Sequence, residues 1–178
     1  MKKNLGLILW ILLTVMLVSG FQTSDPAVIT RGEWSTVDEQ EIFVNQSLDL
    51  AFTLPDDFMV MSDEEISKAA NIGMETLDLD EIDFSKVNLS YDFMISSPNK
   101  GESVQMMMEK TFYSAENYLK ATQSQFENLG LGGADINNMY YMDIAEKEFA
   151  VLPILLENYG INEYLCVRNY DTFIVALI

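Results

Sequence analysis

Residues 173–178, "FIVALI", are apolar at every position, odd and even alike. Successive side chains of a strand point to opposite faces, so a run with no polar face reads as a central strand buried on both sides. The flanking sequence supplies neighbours for it. Residues 139–144, 149–156 and 163–168 read as strands, and so does the alternation of Tyr91, Phe93 and Ile95. After a turn over residues 97–101, Val104, Met106 and Met108 face one side of a further strand, with Gln105, Met107 and Glu109 on the other, which predicts a hairpin. Nearer the N-terminus, "EIFVN" and "LDLAFTLP" read as two more strands joined by a turn over residues 45–47, with Leu48, Leu50, Phe52 and Leu54 on one face.

The acidic residues beside these apolar runs are expected to reverse the chain and begin helices. Pro55, Asp56 and Asp57 end a strand, because proline cannot donate to the ladder and aspartate favours turns. A short strand over residues 58–61 follows. Ser62 and Glu65 form a capping box, Met61 and Ile66 sit at staple positions, and Asp63 and Glu64 add negative charge where the helix dipole favours it. Ile66, Ala69 and Ala70 form that helix's inward stripe and Gly73 stops it; residues 74–88 read as a loop. A second helix opens at Ser114, with Tyr113 and Tyr118 at staple positions, buries Tyr118, Leu119, Thr122, Phe126 and Leu129, and ends at Gly130. Two helices among many strands, without strand–helix alternation, predict an α+β fold: a mainly antiparallel sheet flanked by about two helices.

The N-terminus follows the pattern of an export signal. Lys2 and Lys3 precede an apolar run over residues 5–18, and Ser19 and Gly20 are small enough for a signal peptidase. Cleavage is expected after Gly20, leaving a polar tether over residues 21–33 and a single domain over 34–178; an uncleaved N-terminal membrane anchor is the alternative. Phe21 stands where a lipoprotein would carry its acylated cysteine. The one cysteine, Cys166, can form no intrachain disulfide and lies in an apolar stretch, so it is expected to be a small buried hydrophobe.

Chemistry is sparse. The chain of 178 residues has no histidine, which removes the commonest general base and zinc ligand. Its 28 acidic and 10 basic residues give a net charge of −18, a field that repels phosphate backbones and argues against nucleic-acid binding. "GLGGAD", residues 130–135, lacks the spacing and the lysine of a phosphate loop and reads as a helix cap and turn. Asp78, Asp80, Glu81 and Asp83 concentrate carboxylates that could hold calcium, but Leu79 and Ile82 break the EF-hand pattern, so a solvated acidic loop is expected. Trp34, Phe43, Tyr140, Tyr141, Tyr159, Tyr164 and Tyr170 either line a binding groove or pack the sheet, and Met106, Met107 and Met108 read as core. No catalytic residue, cofactor-binding residue or metal ligand is assigned.

Trp34, a strand with Asn45, "LDLAFTLP", Phe58, "SDEEI", a glycine-ended helix, a hairpin, a second helix and a closing run of strands together resemble small exported bacterial proteins of unassigned function. The resemblance implies a PsbP-like α/β/α sandwich, an antiparallel sheet flanked by helices. Asp57 and Phe58 stand where those proteins usually carry Gly-Trp, and residue 178 falls in the last strand where relatives often add a closing helix. The resemblance carries over no functional residue, and the photosynthetic role of PsbP is not transferred with it. The expected function is an exported, non-enzymatic binding or protein-interaction domain of the bacterial cell envelope, with an unknown protein or small ligand as partner and no cofactor. The alternative is an extracellular carboxylate- or cation-dependent hydrolase.

Overall fold

The computed structural model describes residues 30–66, 68, 89–128, 130, 133–157, 160–171 and 173–178. Among the described residues there are ten strands: β1 (Glu33–Val37), β2 (Gln40–Asn45), β3 (Leu50–Thr53), β4 (Met59–Val60), β5 (Leu89–Ser97), β6 (Glu102–Lys110), β7 (Tyr140–Ile144), β8 (Lys147–Leu156), β9 (Ile161–Tyr170) and β10 (Phe173–Leu177). Helix α1 spans Ala115–Asn128, a 3₁₀ turn spans Ile136–Asn138, and residues 63–66 are helical. The fold is α+β, as helices set among many strands without regular strand–helix alternation predict. The expected signal at residues 1–20, the remainder of the first helix with Ala69, Ala70 and Gly73, the loop over 74–88 and Leu129 lie outside the described residues.

The strands form two antiparallel sheets. One is three-stranded, in the order β1-β2-β3; the other is seven-stranded, in the order β4-β5-β6-β10-β9-β8-β7. The wholly apolar strand β10 is fourth of seven, the central place that its composition demands. Helix α1 covers one face of the large sheet, where Tyr118, Leu119 and Phe126 pack on Leu152, Leu165, Val167 and Ile174. The three-stranded sheet covers part of the other, setting Phe43, Leu48 and Leu50 against Phe93, Met106, Met108 and Val175. Met106, Met107 and Met108 are therefore all core, shared between the two sides of β6.

Both helix starts follow from local sequence. The Ser62 N–H donates to Glu65 Oε2 at 2.8 Å and the Glu65 N–H donates back to Ser62 Oγ at 3.3 Å, the reciprocal pair of a capping box. That bond holds the Glu65 carboxyl below its ordinary value. Ser114 Oγ accepts from the Asn117 N–H, while a second cap comes from across the fold, Asn169 Oδ1 accepting from the Ala115 N–H at 2.7 Å.

Two features differ from the sequence reading. The first is β1, an extra strand paired with β2 through a two-residue turn at Asp38 and Glu39, both at positive φ. The second is the face assignment of Tyr91, expected to share a side with Phe93 and Ile95. A register shift in β5 between Tyr91 and Phe93 makes Asp92 a bulge, so Tyr91 packs on the α1 side while Phe93 and Ile95 meet the small sheet.

Asp92 uses its position in the bulge to join the layers. Its Oδ1 accepts from the Gly32 N–H at 2.6 Å and its Oδ2 from Asn45 Nδ2 at 2.7 Å. Asn45 also donates to the Thr30 carbonyl, and its Oδ1 accepts from the Leu48 N–H at 3.1 Å, fixing the turn between β2 and β3. Position 32 has to be glycine, since a Cβ there would overlap the Phe43 ring. Trp34, Phe43, Phe52 and Phe93 then close into one ring cluster, with centroids 4.7 to 5.9 Å apart.

Truncating Asn45 to alanine leaves Asp92 Oδ2 and the Leu48 N–H without these partners inside the protein. The expected loss is about 2–3 kcal/mol, read as a lowered midpoint in urea unfolding. The β7–β8 hairpin gives a prediction of opposite sign. Its turn residues Ala145 and Glu146 both sit at positive φ, which L-residues other than Asn, Asp and Gly adopt at a cost. Replacing the pair with Asn-Gly should stabilise the fold by about 1 kcal/mol, measured as a rise in Tm.

Candidate functional site

Strand β10 pairs with β6 on one side and β9 on the other, with Leu177 opposite both Met106 and Cys166. Both neighbours run on past it, β6 to Glu102 and β9 to Ile161. Between their continuing ends lies a cavity of about 580 Å³. Glu102, Ser103 and Val104 form one wall, Asn162, Glu163 and Tyr164 the other, and Cys166 and Leu177 lie deeper in.

A second cavity, of about 210 Å³, lies between the two sheets. Phe43, Leu50, Phe52 and Pro55 of the small-sheet side face Phe93, Ile95 and Met106 of the large sheet, and Ala145 of the β7–β8 turn closes one flank. Nothing in this lining is charged. The two cavities share Val104, Ile144 and Leu177, so a wholly apolar crevice adjoins a larger chamber of mixed, mainly apolar lining. A 2.8 Å ion pair from Lys147 Nζ to Asp49 Oδ2 ties the β7–β8 hairpin to the β2–β3 turn beside the crevice. It holds the Asp49 carboxyl below its ordinary value.

The chamber carries one unexpected group. Glu163 is 3% exposed, and its Oε1 has no hydrogen-bond partner. Burial pushes its carboxyl well above the usual range, because removing a carboxylate from water penalises the charged form. Cys166 behaves as the expected buried hydrophobe: its thiol is pushed up to about 11 by burial, so little nucleophilic thiolate is present at neutral pH. Its Sγ is 3.7 Å from the Tyr164 carbonyl.

Two further buried acids lie outside the chamber. Asp92 is raised by burial, an effect its bonds to Asn45 and Gly32 partly offset. Glu109, on the α1 side, is 2% exposed and is pushed up to about 7 by burial. The Tyr118 phenol offsets part of that rise, although neither carboxyl oxygen meets full hydrogen-bond geometry. Sequence reading missed the burial of all three because each acid occupies a strand position at which alternation alone cannot tell a solvated face from a covered one. The usable signal was the neighbouring pattern: Glu109 shares its face of β6 with Met107, and Glu163 shares its face of β9 with Leu165.

The aromatic candidates divide. Phe43 is core and Trp34 packs on it, Tyr170 stacks on Phe173 at 6.0 Å, and Tyr140, Tyr141 and Tyr164 are exposed, Tyr164 on the chamber wall. Tyr159 and the acidic quartet Asp78, Asp80, Glu81 and Asp83 lie outside the described residues. Of "GLGGAD", Gly130 and Gly133 sit at positive φ and Asp135 caps the 3₁₀ turn, while residues 131–132 lie outside the described residues. Among the described residues no cluster of three or more Asp, Glu and Cys side chains is placed to hold a metal ion, and no helix is long and apolar enough to cross a membrane.

Glu109 sets a pH dependence. Its pKa is raised from 4.5 to about 7, so its contribution is fully present below the unfolded value and is lost as pH rises through 7. Glu109→Gln should remove roughly 2–3 kcal/mol of the stability lost between pH 4.5 and 8. Urea unfolding at several pH values reads this as a flatter stability curve for the variant. Compared with known proteins, the chain matches no family model, and no curated protein matches it either.

Proposed function

We propose that this chain is an exported, non-enzymatic binding domain of the bacterial cell envelope, and that its ligand enters the paired cavities between β6, β9 and the small sheet. The observation that carries this reading is the shared wall of Val104, Ile144 and Leu177, which joins an apolar crevice to a larger chamber that is mainly apolar with a few polar groups. Concave, mainly apolar sites with a few polar groups are the usual form of small-molecule sites. Export is supported by the Lys2-Lys3 start and the apolar run that follows. The net charge of −18 disfavours nucleic acid as the ligand.

The buried acids support binding in preference to hydrolysis. Asp92 has its carboxylate committed to Gly32 and Asn45, and Glu109 lies on the α1 side of the large sheet. That leaves Glu163 as the one deeply buried acid lining the chamber among the described residues. Paired-carboxylate hydrolysis needs a second acid held close by in a sugar-sized cleft, and the other acid on these walls, Glu102, is exposed.

Thermal unfolding in the presence of a panel of small apolar and amphiphilic molecules tests the reading. A ligand at a hundredfold its Kd should raise Tm by roughly 5–10 °C. Val104→Phe, which fills the shared wall, should abolish the rise while the variant still unfolds cooperatively. Turnover of an ester or glycan panel, with no ligand-induced shift, would reverse the assignment in favour of a hydrolase.

A further inference from the structure

We propose that the outer edge of β7 is a docking site for an extended basic segment of a partner protein, one that alternates cationic and apolar side chains and adds to the large sheet as a further antiparallel strand. Of the β7 residues only Ile144 lines the cavities, so this surface stands apart from the ligand site.

Strand β7 ends the seven-stranded sheet, and the turn at Ala145 and Glu146 fixes which of its backbone groups are already used. A two-residue hairpin makes Ile144 and Lys147 a bonded pair, and antiparallel alternation then commits Met142 to Phe149 and Tyr140 to Val151. The N–H and C=O of Tyr141 and Asp143 point away from β8 and have no backbone partner among the described residues. A row of this kind is a template for another strand, and proteins commonly blunt it with lysine, proline or a bulge. Strand β7 has none of the three. The opposite edge, β4, is only two residues long.

The two faces of the edge differ in chemistry. On the α1 side lie Tyr141 and Asp143, with Glu148 across the ladder from Asp143 and Glu116 of α1 accepting from the Tyr141 hydroxyl. The Tyr141 phenol is raised chiefly by that bond, with lesser contributions from burial and from the charges of Glu116 and Glu148. Three exposed acids therefore surround this side of the edge. Against them α1 sets Lys120, one turn beyond Glu116, while Lys147 is held by Asp49 and Arg168 donates to the Glu148 carbonyl. On the other side Tyr140 and Met142 form an exposed apolar ledge beside half-buried Ile144.

In an antiparallel addition, residues directly opposite one another share a face. Partner residues bonded to Tyr141 and Asp143 therefore turn their side chains to the acids, and the residues between them meet Tyr140 and Met142. Cations suit the first set and apolar groups the second. The same geometry argues against a second copy of this chain. Two β7 strands related by a twofold axis at Met142 would put Asp143, Glu148 and Glu116 of both molecules on one face, between chains of net charge −18. With a basic segment, the backbone bonds supply affinity and the alternation of side chains supplies selection.

The test titrates the full chain with short capped peptides: one alternating lysine and valine, an isomer with the lysines and valines in separate blocks, and one alternating threonine and valine. The alternating lysine peptide should bind roughly tenfold more tightly than either of the others. Its binding should slow hydrogen exchange at the Tyr141 and Asp143 amides. N-methylation of its lysines, whose N–H groups face β7, should abolish binding, whereas N-methylation of its valines should be tolerated. Asp143→Asn with Glu148→Gln should bring it down to the affinity of the threonine peptide. Glu41→Gln with Glu64→Gln, the same change of charge at exposed acids elsewhere, should leave the preference intact. Val104→Phe, which fills the cavity wall, should leave peptide binding unchanged and so separates this surface from the ligand site.

Equal binding of the alternating and blocked lysine peptides, loss of binding on valine methylation, or unchanged exchange at Tyr141 and Asp143 would overturn the proposal. So would absence of binding. A dimer of the chain in light scattering, with those two amides protected before any peptide is added, would overturn it in favour of a second copy. Circular dichroism and a cooperative melt for each variant confirm that a lost preference is not a lost fold.

Discussion

A single carboxylate, Asp92, holds the two sheets in register. The bulge in β5 turns it off the ordinary alternation of the strand, and there it accepts from the backbone of Gly32 and from the side chain of Asn45. The same bulge sends Tyr91 to the helix side and Phe93 to the small sheet, so one irregular residue distributes aromatic mass between both cores. Burying a carboxylate is costly unless its oxygens are paired, and here two donors from two different segments are committed to it. Displacement of either segment would leave that charge uncompensated, which couples the approach to β1 and the β2–β3 turn to the large sheet.

The candidate site follows from how incompletely the layers overlap. Helix α1 packs along one face of the large sheet, whereas the three-stranded sheet reaches only part of the other. Where its aromatic cluster meets the β7–β8 hairpin the packing opens into the crevice, and where β6 and β9 outrun β10 it opens into the chamber. The ion pair between Lys147 and Asp49 lies at the surface and is worth little as stability. Its position beside the crevice gives it a geometric role, holding hairpin and turn at a fixed separation.

Much of this architecture was legible in the residues. The apolar run of β10 announced a central strand, the Ser62 and Glu65 pair announced a helix start, and the spacing of Tyr118, Leu119, Thr122 and Phe126 announced the buried face of α1. These signals are local, which is why they survive without tertiary information. The illegible parts depend on partners distant in sequence. Strand β1 is mostly exposed and is turned by Asp38 and Glu39 without a glycine, so it lacks both an apolar stripe and the usual turn signal. The burial of Glu109 and Glu163 is set by what lies over the strand and not by the strand itself. The chamber joins residues about 60 positions apart along the chain, and no periodicity within either segment refers to the other.

The placement of β10 has a consequence for the order in which the molecule can be assembled. Strands β4, β5 and β6 form one group and β7, β8 and β9 another, and only β10 bonds to both. While residues 173–178 are still inside the ribosome, the emerged polypeptide consists of two half-sheets with open edges and no ladder between them. Closure is thus deferred until synthesis has passed the last strand, and long-range pairing of that kind is slow.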